Sequence, residues 1–233
     1  MSPGVWVVVA VVLSVALYGA GVVGWRLGRR SALREHGIEA KPVQREVPVR
    51  TRADRLVDLG ELGELLDRRD VLIVSTVTAG SGVREEVVET AVLDTTGVVR
   101  LDHSSLPAGD ASSSGRARPW PDIYGDLVEL LTAATVVVSY GAALHLRMLA
   151  QTAERHGVKK LPGTDWGCLM RRYTEATAGA GARWVELDAA RTREDIAAPA
   201  TPGALEDART ALQILRILAR REAAEDEQPR RGH

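Results

Sequence analysis

The acidic residues whose spacing suits cation chemistry cluster in the middle of the chain. Glu85, Glu86 and Glu89 lie on or beside one predicted strand, and Asp94 and Asp102 bracket the next. Carboxylate oxygens are the ligands that Mg²⁺ and other hard cations take in proteins, so this grouping is one candidate metal site. Alternation along a strand directs some of these side chains to solvent. A solvated acidic face is therefore the favoured interpretation.

A second set of residues has the types that contact nucleic acid, because basic side chains bind phosphates and aromatic rings stack on bases. It comprises Arg116, Arg118, Arg147, Arg155, Lys159, Lys160, Arg171 and Arg172, with Trp120, Trp166 and Tyr140. Residues 70–222 hold 17 basic against 20 acidic residues, and this balance of −3 argues against strong attraction to phosphate. Solvated arginines and core tryptophans are the simpler interpretation. We keep Tyr140, Arg147, Arg171 and Arg172 as nucleic-acid-binding candidates.

The composition limits the class of protein. The chain has 233 residues, of which 45% are hydrophobic, and this suits one globular domain with additional segments. The single cysteine, Cys168, excludes an intramolecular disulfide and fits a reducing compartment. For this thiol, a buried apolar role is favoured over catalysis.

The elements that must position these residues alternate between strand and helix. Three strands are predicted first, in VLIVST, EEVVETAVLD and TGVVRLD, followed by a helix over DIYGDLVELLTAA. The continuous valine run of TVVVSY indicates a buried strand, and two helices follow, over AALHLRMLAQTAERHG and GALEDARTALQILRILARR. The segment between Leu101 and Trp120 is predicted to be a flexible loop. This order predicts an α/β domain over residues 70–222 with a mixed sheet covered by helices.

Three of these segments resemble, in order and spacing, the motifs of the DEDD-type 3′-to-5′ exonucleases, the proofreading-exonuclease superfamily with a ribonuclease H-like fold. LIVSTVTAGSG followed by EEVVETAVLDTTGVV is similar to the family's first strand, Asp-x-Glu turn and second strand. DLVELLTAATVVVSYGAALHLRMLAQTAERHG is similar to its helix, strand and Asn-x-x-Phe-Asp helix start, with Gly141 and Leu144 replacing Asn and Phe. PGALEDARTALQILRIL is similar to its closing helix. The resemblance implies a ribonuclease H-like mixed sheet flanked by helices.

The positions that carry the chemistry of this family are mostly substituted here. In the family, four carboxylates hold two divalent cations, and a His or Tyr acts as general base. Matched residue by residue, the carboxylates fall on Ser75, Val77, His145 and Asp207, and the base falls on Pro202 or Gly203. Only Asp207 retains the family's residue type. Loss of a general base alone costs a factor of about 10²–10⁴ in rate, so the resemblance implies an exonuclease fold without useful hydrolysis.

Two other chemistries use the same positions. Ser75, His145 and Asp207 have the composition of a nucleophile, a base and an orienting acid, at positions that the resemblance brings together. No Gly-x-Ser-x-Gly turn surrounds Ser75, however, and substitution after loss of catalysis would produce the same trio. A transition-metal site on His145 and Asp207 would have two ligands where three or four are usual. We therefore expect neither a catalytic serine nor a bound metal.

The first part of the chain predicts a membrane anchor. Residues 5–25, VWVVVAVVLSVALYGAGVVGW, carry no charge and are long enough as a helix to cross a hydrocarbon core of about 30 Å. Four arginines follow at once, so the positive-inside rule places the rest of the chain in the cytoplasm: Arg26, Arg29, Arg30 and Arg34. Small residues recur at every fourth position and could bring two such helices together as a homodimer: Ala16, Ala20, Gly24 and Gly28.

Two further segments complete the organisation. Residues 26–69 hold 11 basic and 8 acidic residues and are predicted to be a basic juxtamembrane linker and an amphipathic helix. The apolar face of that helix is predicted to carry Leu56, Leu59, Leu62 and Leu66. Residues 223–233 are predicted to be a disordered tail, because EDEQPRRGH has no apolar side chain.

The sequence thus supports two hypotheses from different classes. The first is a single-pass cell-membrane protein with a degenerate exonuclease-fold domain in the cytoplasm, which binds nucleic acid or a protein partner, needs no cofactor and does not catalyse. The alternative is an active 3′-to-5′ exonuclease of DNA or RNA that uses Mg²⁺ or Mn²⁺ at a relocated site.

Overall fold

A computed structural model describes residues 56–106 and 118–227 of the protein. These residues form seven strands and six α-helices. In chain order they are β1 (Leu56–Val57), α1 (Leu62–Asp67), β2 (Val71–Ala79), β3 (Glu86–Asp94), β4 (Val99–Leu106), β5 (Arg118–Pro119), α2 (Trp120–Ala133), β6 (Val136–Ser139), α3 (Ala142–Arg155), β7 (Asp165–Cys168), α4 (Leu169–Ala178), α5 (Leu187–Arg193) and α6 (Ala204–Glu227).

The strands form one mixed sheet in the order β1-β7-β6-β2-β3-β4-β5. The four strands from β1 to β2 in this order are mutually parallel, and β3 is antiparallel to both β2 and β4. Strand β6 lies inside the sheet, and burial on both faces explains its continuous valine run, since Val137 belongs to one apolar core and Val138 to the other. The predicted mixed α/β sheet flanked by helices is confirmed.

The two faces of the sheet carry separate apolar cores. Val71 and Ile73 of β2 belong to the core beneath α1, α4, α5 and α6. Leu72 and Val74, which alternate with them, belong to the core beneath α2 and α3. Because side chains of a strand alternate between faces, this pattern places Ser75 and Val77 towards α6 and Thr76 towards α3.

The β3–β4 hairpin turns at the end of the sheet where β2 begins. Asp94 closes the turn, because its Oδ1 accepts hydrogen bonds from the backbone N–H groups of Thr96 and Val98, both at 3.0 Å. Gly97 has a φ of 95°, a left-handed conformation that favours glycine. Since Asp94 pairs with Leu72 at the start of β2, this turn lies opposite the end of the sheet at which β2 and β6 finish.

The segment before β2 differs from the predicted amphipathic helix. Leu56 lies in β1, which pairs with Trp166 and Gly167 of β7. The helix is confined to Leu62–Asp67, because Gly60 has a φ of 61° and interrupts any helix that began earlier. Leu59, Leu62 and Leu65 are buried in the core on the α6 side, so the segment before β2 packs on the domain.

Other boundaries also differ from prediction. The sequence patterns did not predict β7, α4 or α5, since β7 has only four residues and includes a glycine. The loop predicted between Leu101 and Trp120 is strand at both ends. These two ends pair with each other, Ser105 with Arg118 and Leu106 with Pro119. Helix α6 continues to Glu227, so five residues of the predicted disordered tail are helical.

None of the described helices combines the length and apolar character needed to cross a membrane. The predicted membrane span at residues 5–25, the arginines that follow it and the small residues proposed for dimerisation all lie outside the described residues.

Candidate functional site

The first two substituted positions lie in the second half of β2. Ser75 is buried and pairs with Ala91, and Val77 pairs with Glu89 of β3. Val77 packs against the core on the α6 side. An isopropyl group has no atom that can coordinate a cation, so this position contributes only packing.

Asp207, the retained acidic residue, lies in the first turn of α6. Burial raises the pKa of its carboxyl group to about 6. The neighbouring carboxylates of Asp188, Glu89 and Glu206 raise the pKa further, and Arg191 opposes them. Burial and like charges both disfavour the ionised form. Asp207 is therefore a weaker acid than an exposed aspartate, with a substantial neutral fraction near pH 6.

Glu89 connects β3 to the start of α6. Its Oε2 accepts a hydrogen bond from the backbone N–H of Ala204 at 2.9 Å. The first N–H groups of a helix have no partner within the helix, and a carboxylate there also interacts favourably with the helix dipole. A Cβ at Gly203 would lie 2.9 Å from this oxygen. Glu89 thus caps α6, and Gly203 leaves the space that its carboxylate occupies.

His145, at the third substituted position, contacts the opposite side of β2. Its Nδ1 lies 3.3 Å from the backbone N of Thr76 and 2.8 Å from the hydroxyl oxygen of Thr76. Because a backbone N–H can only donate, Nδ1 is the acceptor and the neutral ring carries its proton on Nε2. Burial lowers the pKa of His145 to about 4, so the imidazole is neutral at pH 7.

The possible serine–histidine–aspartate trio is not assembled. No hydrogen bond connects Ser75, His145 and Asp207 among the described residues. Ser75 faces α6, whereas Thr76 holds the His145 ring on the α3 side, and a base that activates a serine must be within hydrogen-bond reach of its hydroxyl. Ser75 and the His145 ring thus lie on opposite faces of the sheet.

The two-cation arrangement of the resembled family does not fit these residues. Val77 offers no ligand, the Nδ1 of His145 accepts from Thr76, and one oxygen of Glu89 accepts from Ala204. Within residues 56–106 and 118–227, no three His, Cys, Asp or Glu side chains are grouped so that they could hold a metal ion.

The acidic residues around β3 are less solvated than the sequence indicates. Glu86 is buried, with its Oε2 3.3 Å from Nε2 of His156 and 3.7 Å from Nη1 of Arg155. Glu85 accepts a hydrogen bond from the hydroxyl of Thr78 at 2.8 Å. The interpretation as a solvated acidic face therefore holds for Asp102, which is exposed, but not for Glu86.

Several nucleic-acid candidates have structural roles instead. Trp120, Trp166 and Tyr140 are 1%, 1% and 5% exposed, so none presents an open ring face for a base. The hydroxyl of Tyr140 donates to the backbone oxygen of Val185 at 2.9 Å. Nε of Arg172 donates to Glu222 at 3.0 Å, and this ion pair occupies its guanidinium group. These contacts give Tyr140 and Arg172 structural roles, and their assignment as nucleic-acid-binding residues stays a prediction.

The other two nucleic-acid candidates, Arg147 and Arg171, lie near the starts of two helices. Arg147 lies in the second turn of α3, which begins where β6 ends, and Arg171 lies in the first turn of α4, which begins where β7 ends. Neither guanidinium group forms a hydrogen bond or ion pair with any residue that the structure describes. Both arginines therefore lie on helices that start at the C-terminal ends of parallel strands, the end of an open α/β sheet at which ligands bind.

Sequence reasoning missed Trp184, which is 53% exposed in the segment between α4 and α5. Leu144, in the first turn of α3, is 51% exposed. The stretch TAGAGARW has glycine and alanine before the indole, and such a run of small residues is a sequence signal for an exposed loop.

Comparisons with known proteins define the fold. No protein-family model and no curated protein matches the sequence. Among solved structures, 43 chains match. A full-length 3′-exonuclease is 13% identical with a TM-score of 0.50, over 64% of this chain and 80% of that one. A 3′-exonuclease structure described as showing 3′-end-specific recognition of a histone mRNA stem-loop has the same values. The chain therefore has the fold of these 3′-exonucleases.

Proposed function

We propose that this chain is a membrane-anchored exonuclease-fold protein that binds nucleic acid without hydrolysing it. The observation that carries the proposal is which side chains occupy the substituted positions and what they contact. Val77 is part of the core, His145 is held by Thr76, and Asp207 is the only residue of the family's acidic set that remains. Two divalent cations need several oxygen ligands, and these side chains do not supply them.

Two observations support nucleic acid as the ligand. Arg147 and Arg171 lie near the C-terminal ends of β6 and β7, and their charges are not neutralised by any described carboxylate. One structure of the same fold is described as recognising the 3′ end of an mRNA stem-loop. A binding protein needs the positive charges and the open sheet end of such an enzyme, but not its metal site.

Anchoring is part of the same proposal and depends on the sequence. The uncharged span at residues 5–25 and the arginines after it would hold the domain at the cytoplasmic face of the cell membrane. The small residues of the span would pair two copies, which Ala20→Ile should weaken in a membrane dimerisation assay while Val11→Ile does not. Equal effects of both changes would remove the basis for the homodimer.

The test uses the full-length chain in mild detergent with a 5′-labelled single-stranded RNA or DNA. Binding is followed by fluorescence anisotropy, and the length of the oligonucleotide is followed on a gel in Mg²⁺ or Mn²⁺. We expect binding, weakened by Arg147→Ala and by Arg171→Ala, and an oligonucleotide of unchanged length. Absence of binding to both nucleic acids would overturn the proposal in favour of a protein-binding role.

An active exonuclease is the second candidate, since the carboxylates of Glu89 and Asp188 are close enough to raise the pKa of Asp207. Such an enzyme would shorten the oligonucleotide only when a divalent cation is present. Shortening that disappears in both Glu89→Gln and Asp207→Asn would establish a relocated metal site and replace our proposal.

A further inference from the structure

We propose that Trp184 is the stacking platform for an unpaired base when a single-stranded nucleic acid lies across the C-terminal ends of β2, β6 and β7. This inference rests on the proposed function and assigns its principal contact to a residue that is not among the substituted family positions. It concerns the segment between α4 and α5, which contributes no residue to the resembled motifs.

The backbone of Val185, which directly follows Trp184, is held by two hydrogen bonds. The N–H of Val185 donates to the hydroxyl oxygen of Thr174 in α4 at 3.1 Å, and the backbone oxygen of Val185 accepts from Tyr140 at 2.9 Å. Both bonds are buried, and the Val185 side chain belongs to the core. Since Tyr140 directly follows β6, these bonds hold Trp184 near the C-terminal end of that strand.

Trp184 is the only aromatic side chain with an open ring among the described residues. Trp120, Trp166 and Tyr173 are 1% exposed or less, and Tyr124 and Tyr140 are each 5% exposed, whereas Trp184 is 53% exposed. An indole is large and has only two side-chain torsions, so little conformational entropy is lost when it contacts a ligand. A base stacked on it is a sequence-tolerant contact, because every base has a π face.

The arginine that precedes Trp184 favours a phosphate-bearing ligand. Arg183 precedes it and is exposed, and its guanidinium group forms no hydrogen bond or ion pair with the described residues. Arg147 and Arg171 lie on the helices that begin at the ends of β6 and β7. An open indole next to an arginine that no described carboxylate neutralises is typical of a single-strand binding site, in which basic groups follow the backbone and aromatic rings hold bases.

The size of the apolar patch favours a base over a protein partner. A tryptophan buries at most about 250 Å², and about half of that is open at Trp184. A stable protein interface takes about 800 Å² from each partner, several times more than this side chain offers. One or two bases would cover such a patch.

The experiment measures the affinity of the full-length chain in mild detergent for a fluorescein-labelled single-stranded oligonucleotide of about ten nucleotides. Loss of one stacked base lowers affinity by about 5-fold to 150-fold, so we expect Trp184→Ala to weaken binding at least 5-fold. Trp184→Tyr, which keeps an aromatic ring, should retain most of the affinity. Val98→Ala is the control, because Val98 is 55% exposed in the β3–β4 turn at the opposite end of the sheet.

An abasic oligonucleotide of the same length separates stacking from a structural effect. It keeps the phosphates and lacks the bases, so wild type and Trp184→Ala should bind it equally. If wild type binds the normal oligonucleotide and Trp184→Ala binds it as tightly, or if the loss persists on the abasic strand, the stacking assignment is wrong and the proposed function stands. If wild type binds no oligonucleotide, both the assignment and the proposed function are wrong.

Discussion

Oε2 of Glu89 in β3 accepts a hydrogen bond from the backbone N–H of Ala204, the first residue of α6, at 2.9 Å. The bond joins the strand that pairs with Val77 to the helix that carries Asp207. Because Glu89 lies beside the substituted positions, its carboxylate could be mistaken for a replacement metal ligand. Here its position is explained by the need of a helix N-terminus for an acceptor.

We predict that Glu89→Ala lowers the free energy of unfolding by about 1 kcal/mol, the usual effect of removing a helix N-terminal acceptor. Glu89→Gln keeps a side-chain oxygen in place and should lose less than half of that. Urea unfolding of the full chain measures both changes. Glu64→Ala, at an exposed position of α1, is the control and should have little effect. Equal losses in Glu89→Ala and Glu89→Gln would argue against capping by the oxygen.

Asp207 should destabilise the fold above neutral pH. Its pKa is about 6 in the folded chain, against an ordinary value of 3.8 for an aspartate, so the folded state binds the proton more tightly than the unfolded state. The associated stability is complete below about pH 4 and is lost as pH rises through 6. Asp207→Asn should therefore raise the free energy of unfolding by about 1–3 kcal/mol at pH 8. At pH 4 the difference should vanish, and an equal gain at both pH values would contradict the assignment.

His145 should make the fold less stable at acidic pH, opposite to the effect of Asp207. Its pKa is lowered from 6.5 to about 4, so between these values the unfolded state binds a proton that the folded state does not. Stability should fall as pH decreases through this range, by up to about 3 kcal/mol. The clean measurement uses the Asp207→Asn background, in which the opposing titration is absent. His145→Gln in that background should be insensitive to pH over the same range, and an unchanged slope would remove His145 as the cause.

The orientation of the anchor is testable without knowing the ligand. With Arg26, Arg29, Arg30 and Arg34 after the span, we predict that a C-terminal reporter that works only outside the cytoplasm stays silent. A variant with these four arginines changed to alanine should increase the signal. Strong activity from the unchanged chain would reverse the topology.

Hydrophobic pattern was sufficient to predict most of the sheet. The alternation in β2 and the valine run of β6 indicate the correct strands because their side chains face continuous cores. The shortest strands could not be predicted from the hydrophobic pattern. Strand β7 has four residues and β1 has two, and both exist because neighbouring strands offer hydrogen-bonding edges. Such tertiary pairing has no signal in a short sequence window.

In the candidate site, too, the sequence predicted positions but not the contacts between distant residues. The resemblance identified Asp207, His145 and Val77 by position, but residue type alone could not show that His145 accepts from Thr76 or that Glu89 caps α6. Both contacts join residues far apart in the chain. Trp120 and Trp184 are the same residue type, and only the packing around them shows that one belongs to the core and the other is open.

The most direct test of the central claim, that this exonuclease fold has no working cation site, is the melting temperature of the domain in metal and in chelator. A cation that binds only the folded state stabilises it by about 2.7 kcal/mol at a hundredfold excess over its dissociation constant. In a domain of this size such a gain raises the melting temperature by about 5–10 °C. We predict that millimolar Mg²⁺ or Mn²⁺ leaves the melting temperature equal to that in chelator. A metal-dependent rise that Asp207→Asn abolishes would contradict the account.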